Sequence, residues 1–359
     1  MFMKRFFAAS VLTACSTGAL AACESNVDKV EVFYINGMFT DWSSYRANLQ
    51  AIEEFVQSYL FGWGFSPTVH GAHNESENAI SQVIEVARQK FEDANASAQL
   101  AIKQFLNNDP EYVNTPEGVT AVQEFLADIN SAYTTILAEA DTANGRAGLV
   151  SLLDTCSRVV MITHSQGNFY GNALFNDLYA TYDFPNGYSL AQYPMLGNMQ
   201  IASPVYNPGG AAGIVYPDSV GHLTNDNDLV MGLVRGTIGA VDSNYDASRN
   251  PNDFSGHGLE QSYLKQPGQA AQIAGSIANI AFGFTPYPLH GQRTASSSAF
   301  DGYGFTEMNE LLDIEFGSGG VYRYSDVPES TFNGLLSASS KGGYFNEYIR
   351  DRFSYEKLE

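Results

Sequence analysis

Ser165 stands in a segment whose pattern is typical of a hydrolytic nucleophile. Val159–Gly171 reads V-V-M-I-T-H-S-Q-G-N-F-Y-G. The apolar run predicts a buried strand and helical spacing begins at Asn168, so Ser165 falls on the turn between them. Such a turn raises a serine hydroxyl clear of the sheet, and the N–H groups at the helix start can stabilise an oxyanion. The segment predicts an acyl-transfer nucleophile, against the simpler alternative of a serine in an ordinary strand-to-helix turn.

Two neighbours of Ser165 bear on that prediction. Gly167 lets the chain pass close to the strand, which a side chain at this position would hinder. Thr163 stands where the common motif G-x-S-x-G has its first glycine, although threonine is still fairly small. The motif is thus kept at its second glycine and altered at its first.

A serine nucleophile needs a general base and a third group that orients the base. In known hydrolases whose serine stands on such a turn, an acid and then a histidine follow the serine along the chain, on loops after later strands. His222–Val230 reads H-L-T-N-D-N-D-L-V, a short strand that ends in an acidic loop. Asp228 is the predicted orienting carboxylate and Asp226 its rival. For both, the alternative is a turn that is merely rich in Asn and Asp.

Two of the six histidines follow this acidic loop in the chain, His257 and His290. His257 lies in a glycine-flanked loop, G-H-G, directly before a predicted helix, where its ring can reach a serine. His290 lies in T-P-Y-P-L-H, a proline-rich stretch typical of a linker. We predict His257 as the general base, with an exposed loop histidine as the alternative. We interpret His164 as a packing or hydrogen-bonding residue.

An oxyanion hole needs two hydrogen-bond donors, which are often backbone N–H groups. The first is predicted at Gln166, the residue after the nucleophile. The second is predicted at Met38, because Lys29–Ile35 alternates like a strand and runs into N-G-M-F-T. Asn-Gly also marks hairpin turns, but the amphipathic segment Tyr45–Leu60 follows it rather than a pairing strand.

The elements that must position these residues follow from apolar spacing. Leu196–Pro204 reads as the next core strand, and 269–284 as a last core helix that is too short to cross a membrane. Between about residues 75 and 150 the chain is rich in Ala, Gln and Glu, with apolar residues at helical spacing and breaks at 108–110 and 115–116. We expect a helical insertion there, either a lid over the site or a helix pair packed on the sheet.

From about residue 28 to 285 the chain resembles a bacterial α/β-hydrolase of the lipase or esterase type, through the Ser165 motif and the order of Ser165, Asp228 and His257. The resemblance implies an α/β fold, with a mostly parallel sheet and helices on both faces. It also implies that Ser165 is the nucleophile, His257 the general base and acid, and Asp228 the orienting carboxylate. The implied substrate is a small-molecule ester or a lipid.

The composition changes after residue 288. Leu311–Phe316, a glycine turn and Val321–Tyr324 predict a hairpin, and a helix is predicted over 328–336. The Tyr-x-Tyr centre, the V-P-E-S turn and S-K-G-x-Y-F-N-x-x-I-R resemble the KTSC domain. We expect a small α+β domain at 290–359 that serves in docking or in folding. In the docking role it would bind a protein partner. The aromatic residues expected in its core are Tyr322, Tyr324, Phe345 and Tyr348.

Residues 1–22 have the pattern of an export signal, since Lys4 and Arg5 precede an apolar run rich in small residues. We expect a protein of the periplasm or outer envelope, or a secreted one. Leu20–Cys23 resembles a bacterial lipobox, in which Cys23 would carry a lipid and tether the protein to a membrane. A disulfide between Cys23 and Cys156 is the other use of Cys23 in an exported protein, and both alternatives stay open.

The charge of the chain argues against nucleic acid as a partner. Its 18 Lys and Arg against 39 Asp and Glu give a formal net charge of −21, whereas nucleic-acid binding needs basic groups. No Cys/His set has zinc spacing. The N-D-N-D run at 225–228 lacks the glycine and distal glutamate of a calcium loop. We therefore expect no metal and no cofactor.

The sequence thus predicts an exported hydrolase that cleaves carboxylic esters through an acyl-Ser165 intermediate. Its predicted parts are a signal peptide at 1–22, a hydrolase domain at 23–285 and a KTSC-like domain at 290–359. The alternative from another class is a non-catalytic envelope protein that uses a hydrolase scaffold for binding, with contacts made by its C-terminal domain. Amide or thioester substrates are a third option, since the same triad would serve them.

Overall fold

A computed structural model of the protein describes residues 26–36, 42–73, 89–106, 114–136, 142–238 and 240–359. The predicted signal at 1–22, Cys23 and Met38 lie outside these residues. The described chain forms two units, each built around its own sheet. The last helix of the first unit ends at Gly283, and a short 3₁₀ turn at His290–Gln292 opens the second.

A parallel sheet of five strands forms the centre of the first unit, in the order β2-β1-β3-β4-β5. Each neighbouring pair of these strands is parallel. The chain runs from β1 outward to β2 and then returns past β1 to β3, so the direction of winding reverses between β1 and β3. The strands are β1 (Val30–Ile35), β2 (Phe65–Ala72), β3 (Arg158–His164), β4 (Leu196–Ile201) and β5 (Val220–Leu223).

Helices cover both faces of this sheet, which is why its central strands are apolar on both sides. Val160 and Ile162 of β3 face one core, and Val159 and Met161 face the other. The described helices are α1 (Trp42–Tyr59), α2 (Ala96–Leu106), α3 (Pro116–Ile136), α4 (Thr142–Leu153), α5 (Gly167–Thr181), α6 (Gly210–Val215), α7 (Leu229–Ile238) and α8 (Pro267–Gly283), with a π-helix at Leu259–Leu264. Helices α1 and α8 pack on the first core, and α4 and α5 on the second. None of the described helices is long and apolar enough to span a membrane.

The described part of the predicted helical insertion contains α2, α3 and most of α4, and α2 and α3 form a pair that contact each other. Ile102 of α2 and Val122 of α3 are buried in the same core as α4 and α5. Helix α3 also contacts α7, the helix that begins directly after Asp228. The pair is therefore packed on the body of the unit and also reaches the element that follows the predicted acid.

Cys156 lies two residues before the start of β3, where it is fully buried and disulfide-bonded. The other two cysteines of the sequence, Cys15 and Cys23, lie outside the described residues. The lipidation and the disulfide pairing predicted for Cys23 therefore both stay predictions.

An antiparallel sheet of five strands forms the second unit, in the order β10-β9-β8-β7-β6. Its elements are β6 (Arg293–Thr294), β7 (Phe300–Thr306), β8 (Leu311–Phe316), β9 (Val321–Tyr324), α9 (Glu329–Ser337), α10 (Lys341–Tyr344), a π-helix at Phe345–Ile349, and β10 (Tyr355–Lys357). Tyr324 and Phe345 are buried in its core, as predicted. The prediction for Tyr348 is wrong, because Ile349 takes the buried position of that turn. Tyr348 is 49% exposed and lies against the ring of Tyr344.

The second unit packs against the edge of the parallel sheet at which the strands begin. Arg158, the first residue of β3, is fully buried there. Its guanidinium donates to Val27 O at 2.8 Å and to Ala281 O at 3.1 Å, both within the first unit. It also donates to Thr306 Oγ1, at the end of β7, at 3.2 Å, and to Asn309 Oδ1, in the turn between β7 and β8. One buried cation therefore joins the two units.

Asp28 and Asn309 extend this contact. The Asp28 carboxylate accepts from the backbone N–H groups of Glu307 and Met308 at 3.0 and 3.1 Å. Asn309 Nδ2 donates to Phe282 O at 2.8 Å, near the end of α8. The turn between β7 and β8 is thus held by the starts of β1 and β3 and by the end of α8. The carboxyl edge of the sheet lies at the other end of these strands.

Candidate active site

Ser165 lies on a two-residue connection between a strand and a helix. Strand β3 ends at His164 and α5 begins at Gly167. Ser165 has a φ of 55°, in the left-handed region that few residues with a side chain adopt. Its backbone N–H donates to Ile201 O of β4 at 3.0 Å. The serine therefore stands at the carboxyl edge of the sheet, directly before the first turn of α5.

Gly167 brings the end of β1 against this turn. A Cβ at Gly167 would lie 2.7 Å from Ile35 O and 2.9 Å from the carbonyl group of Asn36. The close chain approach expected at this glycine is present, and the neighbouring β1 is the strand that approaches. The loop that leaves Asn36 therefore starts beside Ser165.

Ser165, His257 and Asp228 form one hydrogen-bonded chain. His257 Nε2 lies 2.9 Å from Ser165 Oγ. His257 Nδ1 lies 2.9 Å from Asp228 Oδ2 and 3.1 Å from Asp228 Oδ1. Because a carboxylate only accepts, Nδ1 carries the proton and Nε2 accepts from the serine hydroxyl. The three residues predicted for a triad thus meet, each from a separate loop.

The rivals of Asp228 and His257 make other contacts. Asp226 Oδ1 accepts from the backbone N–H of Ala247 at 2.9 Å. His290 lies in the turn that opens the second unit. In the same acidic loop, Asn225 Nδ2 donates to Ser262 O at 3.0 Å. Within the described residues, no three His, Cys, Asp or Glu side chains are grouped so that they could hold a metal ion.

Asp228 is 1% exposed, and its charge is compensated by donors from three directions. Its Oδ1 accepts from the backbone N–H of Met231 at 2.9 Å, in the first turn of α7. Its Oδ2 accepts from the hydroxyl of Tyr263 at 2.8 Å. His257 provides the third donor. A buried carboxylate at a helix start is stabilised by both the N–H group and the helix dipole.

The loop that carries His257 is held by Asp253. The Asp253 carboxylate accepts from the backbone N–H and hydroxyl of Ser255 at 3.1 and 2.6 Å. It also accepts from Gly258 N–H at 2.7 Å and from Ser262 Oγ at 2.6 Å. These four bonds close a tight turn on either side of His257 and fix the position from which its ring reaches Ser165.

His164 contacts the same loop from the sheet. Its Nε2 donates to the backbone carbonyl of His257 at 2.8 Å. Burial, and then the proximity of His257, lower the pKa of His164 to about 3. His164 is therefore neutral near pH 7 and acts as a hydrogen-bond donor.

The pKa of His257 moves the other way. Burial lowers it, but the charge of Asp228, the hydrogen bond to Asp228 and the charge of Asp253 together outweigh burial. The net effect raises the pKa of His257 above its ordinary value of 6.5. A histidine that binds its proton more tightly when an acid orients it has the property that a general base needs.

Three residues of this site were not assigned from the sequence: Asp253, Tyr263 and Asn168, whose Nδ2 donates to Ser165 O at 2.6 Å. Asn168 directly follows Gly167, and an Asn at a helix start was a usable signal, since its side chain often bonds nearby backbone groups. Tyr263 gave no such signal, because its partner Asp228 is 35 residues away.

Of the two predicted oxyanion donors, Gln166 lies just before α5, whose first N–H groups have no partner within the helix. The second predicted donor, Met38, is outside the described residues.

Comparison with known protein families matches residues 296–353 to the KTSC domain. A lysine–tRNA ligase of Nostoc punctiforme is 41% identical over 56 residues, which are 16% of this chain and 10% of that enzyme. The chain thus spans about a tenth of the length of this curated relative. The match to the KTSC domain leaves the first unit, with Ser165, outside it.

Two smaller proteins are matched over most of their length. An uncharacterized protein of Stutzerimonas stutzeri is 37% identical over 64 residues, which are 18% of this chain and 90% of that protein. The crystal structure of a KTSC domain protein from Yersinia pestis is 34% identical and covers 19% of this chain and 94% of its own, with a TM-score of 0.19. The strands and helices of the second unit, residues 290–359, include the matched range. Through this unit, the chain belongs to the KTSC domain family.

Proposed function

We propose that the protein is a serine hydrolase that cleaves carboxylic esters, with Ser165 as nucleophile, His257 as general base and acid, and Asp228 as orienting carboxylate. The observation that carries the proposal is the continuous hydrogen-bonded chain from Ser165 Oγ through both nitrogens of His257 to a buried Asp228. A serine hydroxyl is a weak nucleophile unless a base removes its proton as it attacks. These three residues provide that base and hold its reactive tautomer.

In the proposed reaction, Ser165 Oγ attacks the ester carbonyl while His257 Nε2 takes the hydroxyl proton. The carbonyl oxygen gains the negative charge of a tetrahedral intermediate. When this intermediate collapses, the alcohol leaves with the proton from Nε2, and the acyl group stays on Ser165. Water then attacks with the same assistance from His257 and releases the acid. Asp228 stabilises the imidazolium in both steps without taking its proton.

Two backbone donors are proposed for the oxyanion, the N–H of Gln166 and that of Met38. Gln166 is the N-cap residue of α5 and directly follows Ser165, the position from which a nucleophile turn of this kind supplies an oxyanion donor. Support for Met38 comes from the position of Asn36, the last described residue before it. The backbone of Asn36 passes within contact distance of the first turn of α5, and Met38 is two residues farther along.

The topology of the first unit supports an α/β-hydrolase assignment. In open parallel sheets, ligands bind at the carboxyl ends of the strands where the winding reverses. Ser165 follows β3, and the loop after Asn36 follows β1, the two strands between which this sheet reverses. The chain order of serine, aspartate and histidine is also the order of that fold. Amide or thioester cleavage would use the same residues. A carboxylic ester is the substrate class that we propose first.

The binding-protein alternative from the sequence is less well supported. A scaffold kept only for binding has no need of a base whose ring is fixed on both nitrogens. Thr163, which departs from the common motif, does not interrupt the hydrogen-bonded chain. The proposed setting is the bacterial envelope or exterior, from the signal-like residues 1–22, with nucleic acid not expected as a partner of this acidic chain.

The proposal is tested by labelling the purified protein with a fluorophosphonate probe, which reacts with activated serines. Wild type should be labelled, whereas Ser165→Ala should not be. In His257→Ala the labelling rate should fall by about 10³-fold or more, because the Ser165 hydroxyl then keeps its proton. His290→Ala is the matched control and should be labelled like wild type.

A panel of p-nitrophenyl esters of increasing acyl length then measures turnover. Hydrolysis that depends on Ser165 supports the ester class. A folded wild type that is neither labelled nor active on these esters would contradict the proposal and favour the binding protein. Circular dichroism of each variant establishes that it is folded.

A further inference from the structure

The backbone of Ser165 needs an explanation that the triad does not provide. Its φ of 55° is unfavourable for a residue with a side chain, so neighbouring groups must hold it. Strand β4 supplies one restraint, because Ser165 N–H donates to Ile201 O at its end. On the other side of the residue, Ser165 O accepts from the backbone N–H of Asn168 at 3.1 Å and from a buried polar cluster beneath the turn, formed by the side chains of Thr163, Asn168 and Asn198.

Asn168 binds both ends of the strained turn. Its Nδ2 donates to Ser165 O at 2.6 Å and to Ile201 O at 3.0 Å. Ile201 O is the same carbonyl that accepts from Ser165 N–H. Asn168 therefore ties the carbonyl of Ser165 to the atom that holds its N–H. The side chain is fully buried, so no water competes for these bonds.

Thr163 orients the amide of Asn168. Its hydroxyl lies 2.5 Å from Asn168 Oδ1 and 3.1 Å from Asn198 Oδ1. A hydroxyl that donates to Oδ1 leaves Nδ2 directed at the carbonyls of Ser165 and Ile201. A glycine at position 163, as in the common motif, could not give this bond. The departure from the motif therefore supplies a hydrogen-bond donor where the common motif has none.

The space for Thr163 comes from a glycine on the facing helix. A Cβ on Gly171 of α5 would lie 2.7 Å from Thr163 Cγ2 and 3.1 Å from Asn198 Nδ2. A side chain at position 171 is therefore excluded while threonine occupies 163. The strand carries the larger residue and the helix the smaller one, which keeps α5 close to β3.

We propose that Asn168, oriented by Thr163, is the positioning residue that holds Ser165 in its reactive left-handed conformation. This inference deepens the proposed function and rests on it. Its chemical content is specific: the Nδ2 donors of Asn168 and the hydroxyl of Thr163 are required, rather than the volume of either side chain. Variants that remove these atoms without changing shape therefore test it directly.

The first pair of variants is Thr163→Val and Thr163→Ser. Valine keeps the shape of threonine and removes the hydroxyl, so the rate constant of fluorophosphonate labelling should fall about tenfold or more, since small displacements of a reacting group are costly. Serine keeps the hydroxyl and should restore labelling to within about threefold of wild type. The pH midpoint of labelling, which reports His257, should be the same in all three proteins.

The second pair is Asn168→Asp and Asn172→Asp. The first replaces both Nδ2 donors with an oxygen and should reduce labelling about 100-fold. The second adds the same charge one turn later on α5, where the side chain binds Gln200 and Asn207 instead, and should retain most of the labelling. Equal losses in Asn168→Asp and Asn172→Asp, or no loss in Thr163→Val, would overturn the proposal.

A crystal structure of Thr163→Val gives a readout that does not need activity. If the amide of Asn168 rotates in this variant, or if Ser165 leaves the left-handed region, the role of Asn168 is supported. An unchanged Ser165 with an unchanged Asn168 contradicts it. If wild type is not labelled at all, the ester-hydrolase proposal fails, and the crystal structure still decides the role of Asn168.

Discussion

Asp228 is the residue on which the chemistry of His257 depends. It is buried, and it accepts from a helix N–H, from Tyr263 and from His257. Its charge and hydrogen bond raise the pKa of His257 although burial alone would lower it. A base works in its neutral form, so labelling of Ser165 should rise with pH through a midpoint above the ordinary 6.5.

Asp228→Asn removes the negative charge of the carboxylate and keeps the shape of the side chain. Without the carboxylate, burial prevails, so the pKa of His257 should fall and the midpoint of the pH profile should move below that of wild type. The rate at the plateau should fall by about 10⁴-fold, because an amide no longer selects the reactive tautomer. A pH series of fluorophosphonate labelling measures both effects. Asp226→Asn, two residues away, should leave the midpoint and the plateau in place.

Tyr263→Phe tests the buried hydroxyl on Asp228. The ring fills the same space, whereas the hydroxyl is lost with its 2.8 Å bond to Asp228 Oδ2 and the longer 3.3 Å bond that it accepts from Asn225 N–H. A bond to a charged group contributes about 1.5–3 kcal/mol, so kcat/KM on a short ester should fall by about 10-fold or more. An unchanged kcat/KM would mean that Met231 N–H and His257 are sufficient to orient Asp228.

At the scale of elements, the contact between β1 and α5 decides whether the site assembles. Gly167→Ala would place a Cβ 2.7 Å from Ile35 O and 2.9 Å from the carbonyl group of Asn36, and both neighbours are backbone with little room to adjust. We expect a loss of about 1–3 kcal/mol in the free energy of unfolding and a strong loss of labelling, because the turn that carries Ser165 must move.

Gly275→Ala in α8 is the control for that change. No atom lies within 4 Å of the position that its Cβ would take. A helix gains about 0.8–1 kcal/mol when an interior glycine becomes alanine, so this variant should be as stable as wild type or more stable. Urea unfolding compares the two variants. A Gly167→Ala protein as stable as Gly275→Ala would contradict the close approach of β1.

Local patterns were enough to predict the strands that lead to the site and the order of the site residues. The apolar run before Ser165, the alternation before Asn36 and the acidic turn at Asp228 each carry their own signal. Loops at the carboxyl edge of a parallel sheet then meet, so Ser165, Asp228 and His257 could be assigned together. The donor loop at Met38 was predicted on the same basis and stays a prediction.

Contacts between distant residues could not be predicted in this way. Tyr263 binds Asp228 because a π-helix turns its ring inward, and apolar spacing does not distinguish a π-helix from an α-helix. Arg158 reads in the sequence as a charged residue ahead of a strand, a position that is usually solvated. Its partners Thr306 and Asn309 are 148 and 151 residues away, so its burial has no local signature.

At the scale of the whole molecule, the two units depend on each other through Arg158. The guanidinium is fully buried, and burial lowers its pKa to about 10 although the charge of Asp28 opposes that shift. A buried cation is tolerated only when its donors are satisfied. The second unit, through Thr306 and Asn309, satisfies donors that the first unit does not.

Asn309→Ala should therefore destabilise the whole chain. It removes an acceptor from Arg158 and a donor from Phe282 O, and a hydrogen bond to a charged group contributes about 1.5–3 kcal/mol. Calorimetry should give a lower Tm, with the first unit unfolding in the same transition. Glu307→Gln, an exposed side chain in the same turn, should keep the wild-type Tm. A lowered Tm in Glu307→Gln, or none in Asn309→Ala, would contradict this coupling.

The burial of Arg158 beneath the second unit also has an evolutionary consequence. In homologues that keep both units, Asp28, Arg158 and Asn309 should vary together, since a change in one leaves the others without a partner. A homologue that has lost the KTSC domain would expose the start of β3 and is expected to carry a small or apolar residue in place of Arg158. Chains that join the KTSC domain to an unrelated protein have no such arginine to satisfy, so positions 306 and 309 are free to drift in them.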